Sequence, residues 1–327
     1  MKLATYLDGS RDGQLVVVSR DLSMAHYAAG IVNHLQQALD DWNFVSPQLQ
    51  GLYEALNQGK AKHAFAFDPR RCMAPLPRAC MWAKGFAYSF AYSFAYSFAY
   101  SFAYSNETTL APPPPHTFRH TLQYGPSDFF WGPFEDMAFQ ADGSELDFAA
   151  GLAVITGDIP PATSADQALE GVRLVMLVNE VGAATAFSPV AVSPDELGAA
   201  WQQGRINLTL QTTLNGRKFG LCDTGPDMRV HFGELLAQLA AHRPVRAGAV
   251  VGTGAVANPG VTDPQGRIQW PKGHHCIADK RAAETQQDGQ PTTPFLKGGD
   301  SVVVDMKDVH GQSLFGAIET RLVAPPK

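Results

Sequence analysis

The apolar and polar positions of the first quarter of the chain predict a β-hairpin followed by two helices. Lys2–Tyr6 and Gln14–Val18 are short apolar runs that flank the turn-rich segment DGSRDG, as in a hairpin. Apolar residues then recur at helical spacing over 31–56. We expect a break at Ser46–Pro47, because serine is a good N-cap and proline suits the first turn of a helix. Residues 1–75 should therefore form a small α+β domain.

From residue 146 onward the pattern is mainly that of β-strands. Four short apolar runs are bounded by glycine, proline or aspartate. These runs are Leu152–Thr156, Leu174–Val178, Ala249–Gly252 and Ser301–Met306. Two short helices are predicted between them, at Ser193–Gln202 and Met228–Ala241, and the second has an apolar stripe. Many short strands with few helices predict a rolled or barrel-like antiparallel sheet, so the fold class is α+β, mainly β.

A tandem repeat interrupts this pattern at residues 86–105, where the unit FAYS occurs five times. A unit of four residues in an extended chain places every Phe and Tyr on one face and every Ala and Ser on the other. Twenty such residues would extend about 66 Å, far beyond an ordinary strand. The tract has no charge and no proline, which makes it prone to aggregation. We interpret it as an expansion of one strand rather than as a binding element.

Composition and charge favour a protein with a hydrophobic core and argue against nucleic-acid binding and membrane association. A chain of 327 residues with 45% hydrophobic and 17% charged residues can bury a core. The net charge of −6 without a basic stripe argues against nucleic-acid binding. We expect no membrane association, because no apolar run approaches the ~20 residues needed to span a bilayer. The four cysteines lack CxxC spacing and no signal-peptide pattern opens the chain, so we expect free thiols and a cytoplasmic location.

Several longer strings resemble the fumarylacetoacetate hydrolase family. They are TPFLKGGDSVVVDM and GQSLFGAIE near the end, DFAAGLAVITGDIP and LEGVRLVMLVNEV in the middle, and HHCIADKR between them. The opening MKLATYLDGSRDGQLVVVSRDLS resembles the longer bacterial members, which carry an extra N-terminal domain. The resemblance implies a β-roll over 76–327, interrupted by the FAYS repeat, behind a small N-terminal domain over 1–75. It also implies a homodimer.

The chemistry that this resemblance implies is metal-dependent cleavage of a carbon–carbon bond. Family members use a divalent cation, usually Mg²⁺, to hold a small β-diketo acid or acylpyruvate. Oxygen ligands suit this cation, which stabilises the enolate-like leaving group. A His–Glu pair activates the water that attacks the carbonyl carbon.

The metal ligands of the family are changed in this chain. The family string D-F-E-A-E reads Asp147-Phe-Ala-Ala-Gly here, so Ala149 and Gly151 replace two glutamate ligands. The later aspartate ligand corresponds to Glu180, and an ungapped match places Lys84 at the remaining ligand aspartate. One carboxylate beside an ammonium group is not a Mg²⁺ site. A shifted ligand set that combines Asp147 with Glu180 is the alternative, and these two residues are the candidate metal ligands.

The catalytic and substrate-binding positions are changed as well. The same match places Ala91 at the catalytic histidine, inside the repeat. The glutamate partner of that histidine corresponds to Asp279, the candidate catalytic remnant. Thr253 or Ala255 corresponds to a contact with the substrate carboxylate. Tyr124 lies near a substrate-contacting tyrosine of the family, with a packing role as the alternative.

Three hypotheses follow from these replacements. The first is a member of the family that is inactive as a C–C hydrolase and binds no cofactor. The second is a working hydrolase, lyase or decarboxylase that uses Mg²⁺, Mn²⁺ or Ca²⁺ at a relocated site formed by Asp147, Glu180 and Asp279. The third is a non-enzymatic protein that pairs with an intact paralogue.

Overall fold

The computed structural model describes residues 1–88, 122–138 and 145–324. Of the FAYS repeat, only Phe86–Tyr88 is included, so the prediction of a long aromatic ladder lies outside the described residues, as does Ala91. Within the described ranges, no helix has the length and apolar character needed to cross a membrane.

The N-terminal segment contains the predicted hairpin, two further strands and two helices. The hairpin is confirmed: Leu3 of the first strand lies opposite Val17 of the second in an antiparallel pair. The strands are β1 (Lys2–Tyr6), β2 (Gln14–Val18), β3 (Met24–Tyr27) and β4 (Phe65–Ala66). The helices are α1 (Leu35–Asp40) and α2 (Trp42–Asn57).

The predicted break between the two helices is at the wrong residue. The chain leaves helical geometry at Asp41, with φ −128° and ψ 44°, whereas Pro47 lies inside α2. Proline at this position loses only the hydrogen bond to the Asn43 carbonyl, near the start of the helix. Burial of one face of α2, including Leu49 and Tyr53, compensates for that loss.

The remaining elements are mainly strands, which confirms the α+β, mainly β fold class. The strands are β5 (Met81–Lys84), β6 (Gln123–Gly125), β7 (Asp136–Ala138), β8 (Phe148–Thr156), β9 (Val172–Val181), β10 (Ala184–Phe187), β11 (Val190–Val192), β12 (Trp201–Gln202), β13 (Arg205–Ile206), β14 (Thr209–Leu214), β15 (Arg217–Asp223), β16 (Ala249–Gly252), β17 (Val261–Thr262), β18 (Ile268–Gln269), β19 (Ser301–Met306) and β20 (Ile318–Val323). The helices are α3 (Ala165–Leu169), α4 (Phe232–Leu239) and α5 (Ile277–Asp288).

Two predicted helices are shorter than expected. Residues Pro194–Ala200 form a 3₁₀ segment in which Gly198 has φ +52°, a left-handed conformation that stops helix propagation. The helix predicted over Met228–Ala241 begins only at Phe232, because His231 caps it by accepting a hydrogen bond from the backbone N–H of Gly233.

The strands form two main sheets. In the described residues, eleven strands make the larger sheet, with the order β4-β3-β2-β1-β11-β9-β8-β16-β5-β6 and β10 beside β9. The smaller sheet has the order β15-β14-β19-β20-β7. The predicted antiparallel arrangement holds for the other strand pairs of the described residues, whereas β16–β5 and β20–β7 are parallel. The larger sheet contains strands from both predicted domains, joined where β1 pairs with β11.

Successive side chains of the central strands point to opposite faces of the larger sheet, so the hydrophobic core consists of two clusters, one on each face. Ala150, Leu152 and Val154 of β8 pack in one cluster, whereas Ala153 and Ile155 pack in the other with helices α1 and α2. The face of β8 that includes Ala153 and Ile155 also carries residues 149 and 151, because side chains alternate along a strand. It therefore positions the candidate site.

Candidate functional site

The candidate site is centred on an ion pair between Lys84 and Glu180. Lys84 is the last residue of β5 and Glu180 is the penultimate residue of β9, and β8 and β16 lie between these strands. The Lys84 Nζ atom is 2.7 Å from Oε2 of Glu180. The Lys84 side chain is 26% exposed and that of Glu180 only 10%. The two side chains therefore meet across two intervening strands.

Small residues and an aromatic cluster surround this pair. Ala149 lies opposite Glu180 in the antiparallel β8–β9 pair, so it shares the same face without filling it. Trp82 precedes Lys84 by two residues and so points to the same face of β5. Its ring makes edge contacts with Phe130 and Phe187 at centroid distances of 6.3 and 5.6 Å. The ammonium group thus extends from a strand that is fixed by a packed aromatic cluster.

The carboxylate of Asp147 lies at the N-terminus of α5. Its Oδ1 atom accepts hydrogen bonds from the backbone N–H groups of Ile277 and Phe148, both at 2.7 Å, and its Oδ2 atom accepts one from Ala278 at 2.8 Å. These contacts satisfy N–H groups that a helix leaves unpaired at its start. Burial nevertheless raises the pKa of Asp147 to about 6.

Asp279 lies in the first turn of the same helix. Its side chain is buried, and Oδ1 has no hydrogen-bond partner among the described residues. Burial raises the pKa of this carboxyl to about 7. Its backbone N–H donates to Sγ of Cys276 at 3.4 Å, and burial raises the pKa of that thiol well above its usual value. Cys276 also forms a β-bridge with Ala149, so Ala149 lies between Glu180 of β9 and Cys276, the N-cap of α5.

His275 precedes this helix and has a structural role. Its Nδ1 atom is 2.6 Å from Oγ1 of Thr212, and the backbone N–H of Cys222 donates to Nε2 at 3.2 Å. The ring is neutral, because burial and the neighbouring His274 lower its pKa to about 3. It therefore links α5 to β14 and β15.

The two predicted substrate-binding residues lie beside β5: Thr253 follows Gly252, which pairs with Lys84, and Tyr124 pairs with Ala83. Thr253 is buried just after β16. Its hydroxyl oxygen accepts a hydrogen bond from the backbone N–H of Leu152 at 3.1 Å. The same hydroxyl group donates a hydrogen bond to the Gly254 carbonyl at 2.8 Å. Tyr124 lies on β6, the outermost strand of the larger sheet, and its side chain is 63% exposed. The substrate-binding role and the packing role of Tyr124 both stay predictions.

The described residues do not fit a divalent cation at this site. No group of three or more His, Cys, Asp or Glu side chains comes together in the ranges that the structure describes. A Cβ atom built on Gly151 would lie 2.2 Å from the Gly254 carbonyl oxygen, so a glutamate there requires a backbone shift. Glu180 is held by an ammonium group and Asp147 by backbone N–H groups. Mg²⁺ and Mn²⁺ need several oxygen ligands, which this arrangement lacks.

Comparisons with solved structures show a shared fold over nearly the whole chain. Maleylpyruvate hydrolase from Sphingobium sp. SYK-6, in complex with manganese (II) ion and pyruvate, has a TM-score of 0.64 and 14% identity, covering 100% of both chains. A probable 2-hydroxyhepta-2,4-diene-1,7-dioate isomerase from Mycobacterium abscessus has a TM-score of 0.64 and 15% identity, also covering 100% of both chains. Fumarylacetoacetate hydrolase from Exiguobacterium antarcticum has a TM-score of 0.61 and 16% identity, covering 99% of both chains.

Comparisons with protein families identify both ends of the chain, whereas no curated protein matches it in sequence. Residues 1–78 match the fumarylacetoacetase N-terminal domain 2. Residues 182–323 match the fumarylacetoacetate (FAA) hydrolase C-terminal domain. The two matches together span about two thirds of the chain and include the opening string, HHCIADKR and the two strings near the end. The chain therefore belongs to the fumarylacetoacetate hydrolase family, in the form that carries an N-terminal domain.

Proposed function

We propose that this protein is a member of the fumarylacetoacetate hydrolase family that does not hydrolyse carbon–carbon bonds by the metal-dependent route. The observation that carries the proposal is the Lys84–Glu180 ion pair. A divalent cation catalyses such a reaction by binding substrate oxygens and stabilising the negative charge that develops on them. An ammonium group donates hydrogen bonds but has no coordination sites, so it is a poor substitute in this step.

The contacts of the other carboxylates also favour loss of activity over a relocated acidic site. Both oxygens of Asp147 accept backbone N–H groups, and releasing them would leave the start of α5 unpaired. Asp279 is buried in the first turn of α5, where its backbone N–H donates to Sγ of Cys276. The family match places Ala91 at the position of the catalytic histidine, and alanine cannot act as a general base. A working site would need to change all of these contacts together.

The substrates for testing this proposal are small keto acids. The structural relatives include a maleylpyruvate hydrolase and a fumarylacetoacetate hydrolase, and we extend that substrate class, acylpyruvates and β-diketo acids, to this chain as a proposal. A homodimer in the cytoplasm remains part of the same proposal.

The test is a hydrolysis assay with an acylpyruvate and with fumarylacetoacetate, followed by loss of substrate absorbance with Mg²⁺ or Mn²⁺ present. The hydrolase from Exiguobacterium antarcticum, assayed in parallel, controls for substrate quality. We expect the rate to equal that of buffer with metal alone. Turnover that a chelator abolishes, and that Glu180→Gln also abolishes, would overturn the proposal and indicate that Glu180 binds a catalytic metal.

A further inference from the structure

We propose that the Lys84 ammonium is the resident cation of this site: it occupies the position that a divalent metal would need beside Glu180, and its removal reopens that position. This inference rests on the proposed function, since both concern the same pair of residues. It adds the claim that Lys84 prevents a divalent cation from binding to Glu180. This claim can fail even if the protein hydrolyses no carbon–carbon bond.

The burial of Glu180 creates the need for a cation. Only 10% of its side chain is exposed, and a desolvated carboxylate is costly unless it is paired. Lys84 meets this need from within the chain, at a distance typical of a direct charge-assisted hydrogen bond. The positive charge is therefore a permanent part of the fold and does not depend on the ion content of the solution.

The same geometry excludes a second cation. A separation of 2.7 Å between Nζ and Oε2 leaves no room for an ion between the two groups. A metal bound to Glu180 would have to displace Lys84, whose backbone is fixed by the β5–β16 and β5–β6 pairs. The displaced ammonium would then lie close to a divalent charge, and this repulsion disfavours binding. Gly151 has no side chain that could bind a metal, and the nearby Gly254 carbonyl leaves no room for one.

Removing the ammonium should reverse this exclusion. In Lys84→Asp, Glu180 loses its partner and gains a second carboxylate nearby, so a cation from solution is the remaining means of neutralising the charge. Two carboxylates are a minimal set of oxygen ligands for Mn²⁺. A ligand that binds only the folded state raises the melting temperature. Mn²⁺ should therefore stabilise the variant and leave the parent unchanged.

The experiment compares melting temperatures with and without MnCl₂ for the parent, Lys84→Asp, and the double variant Lys84→Asp/Glu180→Gln as a matched control. Titration of free Mn²⁺ by electron paramagnetic resonance on the same three proteins measures binding directly. We expect Mn²⁺ to raise the melting temperature of Lys84→Asp by several degrees, with saturable binding, and to do neither for the parent or the double variant. Lys84→Glu, which also supplies a second carboxylate, replaces Lys84→Asp in the same resonance titration if that variant does not fold.

Saturable Mn²⁺ binding by the parent would overturn the inference, even if the parent hydrolyses nothing, and the proposed function would then stand alone. An equal response of Lys84→Asp and its double variant, or no binding by either, would also overturn it, because Glu180 would then not be the group that the ammonium neutralises. Hydrolysis that requires a divalent metal but survives Glu180→Gln would instead overturn only the proposed function, because the metal would then bind away from Glu180.

Discussion

Asp279→Asn tests the energetic cost of the buried carboxyl at the start of α5. The Asp279 side chain is 4% exposed, and burial raises its pKa from 3.8 to about 7. The folded protein therefore binds this proton more tightly than the unfolded chain does. The stabilisation from the protonated carboxyl is complete below pH 3.8 and is lost as the pH rises through 7. At about 1.4 kcal/mol per pH unit, the full loss is at most about 4 kcal/mol.

Asparagine has nearly the same shape and stays neutral, so the variant should escape this loss. We expect the two proteins to be similarly stable near about pH 4 and the variant to be more stable by about 2–4 kcal/mol near about pH 8. Urea denaturation across this range measures the difference. His274 and His275, whose lowered pKa values favour folding at higher pH, titrate in both proteins and cancel in that difference. A difference that does not change with pH would refute the reasoning, and Asp288→Asn, at the exposed end of the same helix, is the control.

Further substitutions test other parts of the structure. Tyr88→Phe removes a 2.7 Å hydrogen bond to the backbone carbonyl of Thr224 and should lower the free energy of unfolding by about 1–2 kcal/mol in urea denaturation. Deleting one FAYS unit from residues 86–105 should change the melting temperature little, because the next unit restores the same residues after Gly85, including the tyrosine that takes the place of Tyr88; a large drop would contradict this. Ala149→Glu with Gly151→Glu should lower the melting temperature and leave hydrolysis at background, because a Cβ atom at residue 151 meets the Gly254 carbonyl; appreciable turnover would show that the site accepts both carboxylates.

Local sequence patterns predicted the elements that depend on local contacts. The strands Ala249–Gly252 and Ser301–Met306 have the predicted bounds, and the N-terminal hairpin has the predicted pairing. The prediction of a helix break at Ser46–Pro47 was wrong, because the burial of α2 outweighs the loss of the single hydrogen bond that proline removes. Parallel pairing of β5 with β16 could not be predicted, since it joins segments more than 160 residues apart.

The candidate site was predicted in part. The family resemblance placed Lys84 and Glu180 at neighbouring ligand positions, and the structure brings them into contact. The position of Asp147 at the start of α5 has no local signal, because its hydrogen-bond partners lie about 130 residues later in the chain. The same holds for the closeness of Cys276 to Ala149. Long-range contacts of this kind follow from the whole fold rather than from any short string.

The most direct test of the account is a crystal of the parent protein soaked in MnCl₂ and measured at the manganese absorption edge. We expect a short contact between Lys84 Nζ and the Glu180 carboxylate, and no anomalous peak at that carboxylate. An anomalous peak at that carboxylate, with the Lys84 side chain displaced from it, would contradict the claim that the ammonium is the cation of this site.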